Sequence, residues 1–442
     1  MKNRQSPIKI VKLKELTTEE YARIVERRGL AKLGDIETKV KEIIRRVREL
    51  GDYEIIEFYE KFFGKKAVTK HNLKVSEEEF EKAYEKVSEE FVEALKEARR
   101  NIEAFHKAQI PGKMWIMKVR EGVYAGRVWK PLERVGIYVP GGRAPYPSTA
   151  LMASIPAKVA GVREIIACTP PLPNGEVNPY TLVALDIAGV KEVFKVGGAH
   201  AVAAMAYGTE TIPKVDKIVG PGNIWVVTAK KLLSTIVSID FIAGPSEIMI
   251  IADGTADPYR IALDLAAQAE HDPLSSSILI TTSENIAEKV AEKVEEIVRK
   301  APRREIIKKS LENNGLIILV ENIDEALKFA NDYAPEHLEI VSKKLDMFEI
   351  LEKIDNAGSV FIGENTPVAL GDYIIGTNHI LPTERQAKVR GGLSVYDFIK
   401  FIDFQYVTKR GLETIGKYAI VMAEAEGFYE HANSIRERLA MK

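Results

Sequence analysis

Between residue 36 and about residue 109, apolar side chains recur every three or four positions among Glu and Lys, as in Val75-Ser-Glu-Glu-Glu-Phe-Glu-Lys-Ala-Tyr84. This spacing predicts long amphipathic helices that serve as scaffold. From Val128 the texture changes to short β-branched runs, glycine turns and alanine-rich stretches. The runs are Val135–Val139, Glu164–Cys168, Glu192–Val196 and Lys217–Gly220. A second series follows: Glu247–Ala252, Ser277–Thr282, Gly315–Val320, His337–Val341 and Ser359–Gly363. Apolar strands alternating with helices predict βαβ units and parallel sheets, so two α/β modules are expected. From about residue 382 the pattern reads as helical again up to Tyr418–His431, a candidate arm. No short-period repeat and no low-complexity tract interrupts this order.

A length of 442 residues fits two or more domains. Lys and Arg total 63 against 64 acidic residues. No net field therefore draws the chain to nucleic acid or to an anionic membrane, and a small-molecule partner is expected. The one cysteine, Cys168, lies in an apolar run and reads as core; it excludes a disulfide within the chain and points to a reducing compartment. The start, Met1 to Pro7, carries no apolar core or cleavage site. No stretch approaches the ~18 apolar residues of a membrane span, so a cytoplasmic protein is expected.

Asp257-Pro258 reads as a helix start, with Asp as N-cap and Pro in the first position; the helix is expected to run to about His271, before Pro273. Gln268 and His271 then share a face, where a carboxamide oxygen and an imidazole can reach one cation, although spacing alone leaves coincidence open. Asp372 and His379 lie in a glycine-containing segment after a strand, where α/β enzymes place active-site loops. Asp372 suits an oxygen ligand, although taken singly the cap of a turn explains it better. Glu336-His337 stands where a strand begins: either two proton-transfer groups, or a surface Glu beside a half-buried His. Glycine turns recur at Val139-Pro-Gly-Gly142, Val196-Gly-Gly-Ala199, Val219-Gly-Pro-Gly-Asn223 and Ala243-Gly-Pro-Ser246. They suit close approach to a phosphate, but no G-x-G-x-x-G follows a strand, and tight structural turns explain them as well.

In this order the elements are similar to the histidinol dehydrogenase family, over roughly Val128 to Arg436. The stretches that carry the likeness are Gly136–Gly142, Pro145–Val162, Lys214–Asn223, Ala243–Glu247, Gln268-Ala-Glu-His271, Pro335-Glu-His-Leu338, Gly371–Thr383 and Glu426–His431. The resemblance implies oxidation of L-histidinol through the aldehyde to L-histidine with two NAD. It implies zinc held by Gln268, His271, Asp372 and His431, with the substrate completing the shell. Ser246, His337 and Glu426 would also contact substrate, Glu336 and His337 would accept protons, and Tyr138 and Asn223 would line the NAD site. The implied fold is two incomplete Rossmann-like domains with parallel sheets and small helical N- and C-terminal extensions. On this chain the division is 1–35 for the N-terminal helical extension, 36–133 with 248–381 for one discontinuous α/β domain, 134–247 for the NAD-binding-like domain, and 382–442 for a C-terminal arm. The family forms an intertwined homodimer in which that arm completes the partner's site, which implies that His431 is donated across the dimer.

Two departures from the family pattern stand out. His200 replaces the usual glutamine at a position that contacts NAD, and Glu384–Arg390 replaces a glycine- and alanine-rich stretch, as a surface change or as a change in substrate choice. Three other readings remain: a paralogue oxidising another polar alcohol, a zinc module without catalysis, and a hydrolase using zinc-bound water. The zinc module has no use for Glu336 and His337, and the hydrolase none for a nucleotide-binding architecture.

Overall fold

The computed structural model describes residues 6–27, 34–64, 67–141 and 144–441. Residues 1–5 and 28–33 of the expected N-terminal extension, and Gly142 of the first glycine turn, lie outside them.

Every apolar run named above becomes a strand, within one residue at either end. One parallel sheet has the spatial order Lys9–Lys12, Gly315–Leu319, Ser276–Thr281, Glu247–Ala252, His337–Val341, Ser359–Ile362. A second has the order Glu192–Lys195, Glu164–Thr169, Arg134–Tyr138, Lys217–Val219, Ser238–Ile239. Helices cover both faces, which is why the strands read as unbroken apolar runs. In the central strand Glu247–Ala252 every residue is buried. Ile248, Ile250 and Ala252 pack towards the helices Pro258–Ala269 and Glu284–Lys300, and Met249 and Ile251 towards the helix Ile323–Tyr333. Cys168 is buried in its strand, and burial pushes its thiol pKa up, away from any nucleophilic role. Among the described residues no helix is long and apolar enough to cross a membrane.

Four expectations need correction. The N-terminal segment is not only helical: Lys9–Lys12 adds an edge strand to the six-stranded sheet. Residues 36–133, expected beside 248–381, carry helices that pack on the five-stranded sheet instead. Val40, Val47, Ile55, Phe80, Leu95 and Ile102 bury their apolar stripes among residues of 135–241. A third, antiparallel sheet of Met114–Arg120, Val123–Pro131 and Ile399–Val407 joins distant parts of the chain, so the segment after 382 is not simply helical. The edge strand Met114–Arg120 is exposed along its length, so no burial-driven alternation marks it in the sequence. Lastly, the helix Pro258–Ala269 stops before His271.

Candidate active site

In the six-stranded sheet, His337 lies in register with Ile248 on one side and Ser359 on the other, so the residues that open these strands share an edge. Along His337–Val341, Leu338 and Ile340 pack on one face, whereas Val341 packs with the helix Pro258–Ala269 on the other. By alternation His337 and Glu339 face that helix too. The Asp257 carboxylate caps it, accepting from the Tyr259 amide at 2.8 Å, and the helix runs back along the sheet. The chain then re-enters the sheet at Ser276, whose amide donates to the Ser246 carbonyl at 2.9 Å. Ser246, Glu247, Gln268, His271, Glu336 and His337 therefore collect at the amino-terminal edge of the strands. Open α/β sheets usually bind ligands at the opposite edge.

Glu336 and His337 are both buried, at 6% and 4% exposure, which removes the reading of a surface Glu beside a half-buried His. His337 Nδ1 lies 2.9 Å from the Glu247 carbonyl, a pure acceptor, so Nδ1 carries the proton there and Nε2 is left to act. Nε2 is buried without a hydrogen bond, 3.7 Å from Asp372 Oδ1. Burial opposes the His337 charge, but Glu336 and Asp372 outweigh it and push the pKa up to about 9. Burial also pushes Glu336 up to about 8, against the pull of His337, so this carboxyl exchanges a proton near neutrality.

Asp372 sits in the short helix Val368–Tyr373, where Gly371 lets the backbone lie against the Phe361 ring. Burial opposes its charge too, yet His337, His379 and His271 hold its pKa below the ordinary value. His379 supports it from behind: Nδ1 bonds the Asp372 carbonyl at 2.8 Å, and Nε2 lies 3.2 Å from Thr149 Oγ1 on the other α/β unit. The walls crowding His271 lower its pKa, although the residue still has an open face at the rim. Gln268 is buried and its Nε2 has no hydrogen-bond partner. An unbonded buried amide is out of place in a packed core and is explained if a ligand engages that side chain. Gln268, His271 and Asp372 offer oxygen and nitrogen donors suited to zinc. Among the described residues, however, no group of three His, Cys, Asp or Glu side chains is arranged to hold a metal ion. His431 and Glu426, the other expected members, are exposed on the C-terminal helical pair Lys409–Ala425 and Tyr429–Ala440 or the turn between them.

The expected cofactor residues lie at the carboxyl edge of the five-stranded sheet. Tyr138 ends its strand and is buried, and its hydroxyl accepts from the Gly198 amide at 3.1 Å. Tyr59 takes the Gly197 amide at 2.9 Å, so the first amides of the helix Gly198–Tyr207 are already bonded. Asn223 is exposed and caps the helix Ile224–Leu233, accepting from the Trp225 and Val226 amides at 3.0 and 3.3 Å. His200 is buried against the Phe58 ring, with Nε2 3.5 Å from Glu54. Of the departing loop, Glu384 donates its amide to Glu247 Oε1 at 3.1 Å, and Gln386 and Arg390 bond the Ile242 and Asp240 carbonyls. This loop is a strap over the segment that joins the two parallel sheets, not a free surface.

Sequence reasoning missed Arg27, Glu247, Asp264 and Glu339. Two of them carried a usable signal: Asp264 stands one helical turn before Gln268, and Glu339 is the next residue after His337 on the same strand face.

The family model described as histidinol dehydrogenase matches residues 26–439. The chain is 50% identical over 430 residues to a histidinol dehydrogenase of Methanocaldococcus jannaschii, covering 97% of this chain and 98% of that one. It is 48% identical over 432 residues to that of Methanosarcina mazei, covering 98% of each. Its fold superposes on the crystal structure of histidinol dehydrogenase from Elizabethkingia anophelis with a TM-score of 0.93 at 38% identity, over 99% of both chains. With the expected strands, turns and buried Glu336–His337 pair in place, the chain belongs to the histidinol dehydrogenase family.

Proposed function

We propose that the chain oxidises L-histidinol to L-histidine through the aldehyde, reducing two NAD, with Glu336 and His337 moving the protons. The observation that carries this reading is the buried pair itself: His337 has Nδ1 fixed by the Glu247 carbonyl and Nε2 free, beside a carboxyl that titrates near neutrality. Nothing in the comparisons favours a paralogue acting on another alcohol.

In the first oxidation, His337 Nε2 takes the hydroxyl proton while the carbinol hydrogen leaves as hydride to the nicotinamide. His337 must be deprotonated at Nε2 to take that proton, and its raised pKa makes the competent fraction, and with it the rate, rise towards alkaline pH. In the second, the aldehyde gains an oxygen. Cys168 is buried in a strand, so a thiol adduct is excluded. Glu336 takes a proton from water as the water oxygen adds to the aldehyde carbon, and His337, protonated in the first oxidation, returns its proton to the carbonyl oxygen, which gives the hydrate and frees Nε2. The hydrate then loses a proton to His337 and a hydride to the second NAD.

Gln268, His271 and Asp372 would hold zinc together with the partner's His431, and the same side chains would then border the substrate. Zinc, when bound, supplies a Lewis acid that orients the imidazole and amine of histidinol. Ser246 and Glu426 would contact the substrate as well, Glu426 as a carboxylate for its amine. Tyr138, His200 and Asn223 would line the NAD site. Residues 382–442 would serve as the arm of a homodimer.

The test is NADH formation with L-histidinol, with and without a chelator. Two NADH per histidinol, abolished by the chelator and restored by Zn2+, is the expected result; no absorbance change under metal-replete conditions rejects the reading. Glu336→Gln should slow oxidation of the aldehyde far more than oxidation of the alcohol, and equal loss of both steps would remove the proposed role of Glu336.

A further inference from the structure

Beneath the candidate site lies a half-buried cation that the proposed chemistry does not use. Arg27, just after the helix Thr18–Glu26, reaches the start of the Glu247 strand. Its Nε donates to Glu247 Oε1 at 2.5 Å, and a second guanidinium nitrogen donates to Oε2. The guanidinium carbon lies over the Tyr333 ring, 3.4 Å from its centroid, and the group donates to the carbonyls of Tyr333 and Ala334 at 2.9 and 3.4 Å. Ala334 holds a left-handed conformation, φ 54°, in the turn that leads into Glu336.

What Arg27 holds is the hub of the catalytic pair. The Glu247 amide donates to Glu336 Oε2 at 2.8 Å, and the Glu336 amide donates back to Glu247 Oε2 at 3.3 Å. The Glu247 carbonyl fixes His337 Nδ1. Glu247 is 3% exposed, and a carboxylate so buried is costly to keep charged without its cation. It would have to take up a proton or move towards water. Either change loosens the Glu336 amide, and movement also displaces the carbonyl that sets the His337 tautomer. We propose that Arg27 is a positioning residue for Glu336 and His337, acting through Glu247 and through the Tyr333–Ala334 turn. The proposal rests on the reading of Glu336 and His337 as proton-transfer groups.

The test compares Arg27→Gln, Arg27→Lys, Glu336→Gln, His337→Asn and the Arg27→Gln/Glu336→Gln double variant in the full-length, zinc-loaded enzyme. Arg27→Gln should lower kcat by about 100-fold, the effect of misplacing reacting groups by about 1 Å. KM for histidinol should stay within about threefold, because no substrate contact is removed. Arg27→Lys keeps the charge but not the paired geometry, so it should recover only part of kcat. In the Glu336→Gln background, Arg27→Gln should cost less than about threefold more, since the two losses share one cause. An unchanged kcat in both Arg27 variants, or fully additive losses in the double variant, overturns the proposal. If Arg27→Gln does not fold, the kcat and KM of Arg27→Lys decide. Full activity in Glu336→Gln and His337→Asn would sink the underlying reading instead, whatever Arg27 does.

Discussion

Asp264 and Glu339 face each other between the helix Pro258–Ala269 and the strand His337–Val341, two buried carboxyls close enough that together they hold a proton. Glu339 is 3% exposed, and burial raises the pKa of both carboxyls. They stand one turn before Gln268 and two residues after His337, so the pair ties together the two elements that carry the site.

Because these folded-state pKa values are raised, the folded protein binds more protons than the unfolded chain above the ordinary carboxylate range, about pH 4. Stability is then lost as pH rises from there through the raised values into the alkaline range. Glu339→Gln keeps a hydrogen bond to Asp264 without a shared proton, so its stability should fall less over pH 5 to 9. Denaturant titrations of both proteins across that range give the difference, and parallel curves would argue against a shared proton.

Gly376 should tolerate no side chain. Its φ is 112°, and a Cβ there would lie 2.5 Å from the Asn101 carbonyl oxygen, a backbone atom that cannot swing aside. Asn101 Nδ2 also bonds the Ile374 carbonyl at 2.9 Å, so the strain falls on the loop that carries Asp372. Gly376→Ala should cost at least about 2 kcal/mol of stability. It should also raise the zinc concentration needed for activity, as read by metal titration of the apoenzyme.

The parallel sheets were legible because their strands are buried on both faces: every residue of the run Glu247–Ala252 lies between two helical layers. The start of the helix that carries Gln268 was legible because the Asp257-Pro258 cap is local, whereas its end at Ala269, short of His271, was not. The charge network was not, since Arg27, Glu247 and Glu336 meet through sequence separations of 220 and 89 residues, which no periodicity encodes. The antiparallel sheet was missed for another reason: its edge strand exposes Met114, Trp115, Ile116, Met117 and Val119 by 52–60%, an apolar pattern without an inside.

That exposed strand carries the third prediction. Together with Phe401, Ile402 and Tyr406 of the same sheet and Val421 and Met422 of the following helix, it leaves large apolar side chains exposed on both faces of the sheet, more than an isolated chain usually shows. A second copy is the occupant proposed here. Ile116→Lys with Met422→Lys should shift the protein from dimer to monomer in sedimentation velocity and remove activity, while leaving the secondary structure intact by circular dichroism. An active monomer would show that the arm completes no partner's site.

A site shared between two copies would make a sharper demand on mixtures of inactive proteins. His271 lies beside Asp372 and His337 of its own chain, whereas His431 is exposed on the C-terminal helix Tyr429–Ala440. If the partner's His431 completes the cleft, a dimer of one His271→Ala chain and one His431→Ala chain has one doubly defective site and one intact site. Random reassembly of equal amounts makes half of the dimers mixed, so activity should return to about a quarter of the wild-type value. Each variant alone should stay inactive at every protein concentration. Refolding the two together from denaturant and assaying NADH formation gives the number; no recovery, with mixed dimers confirmed by mass spectrometry, would place both histidines in the same chain's site.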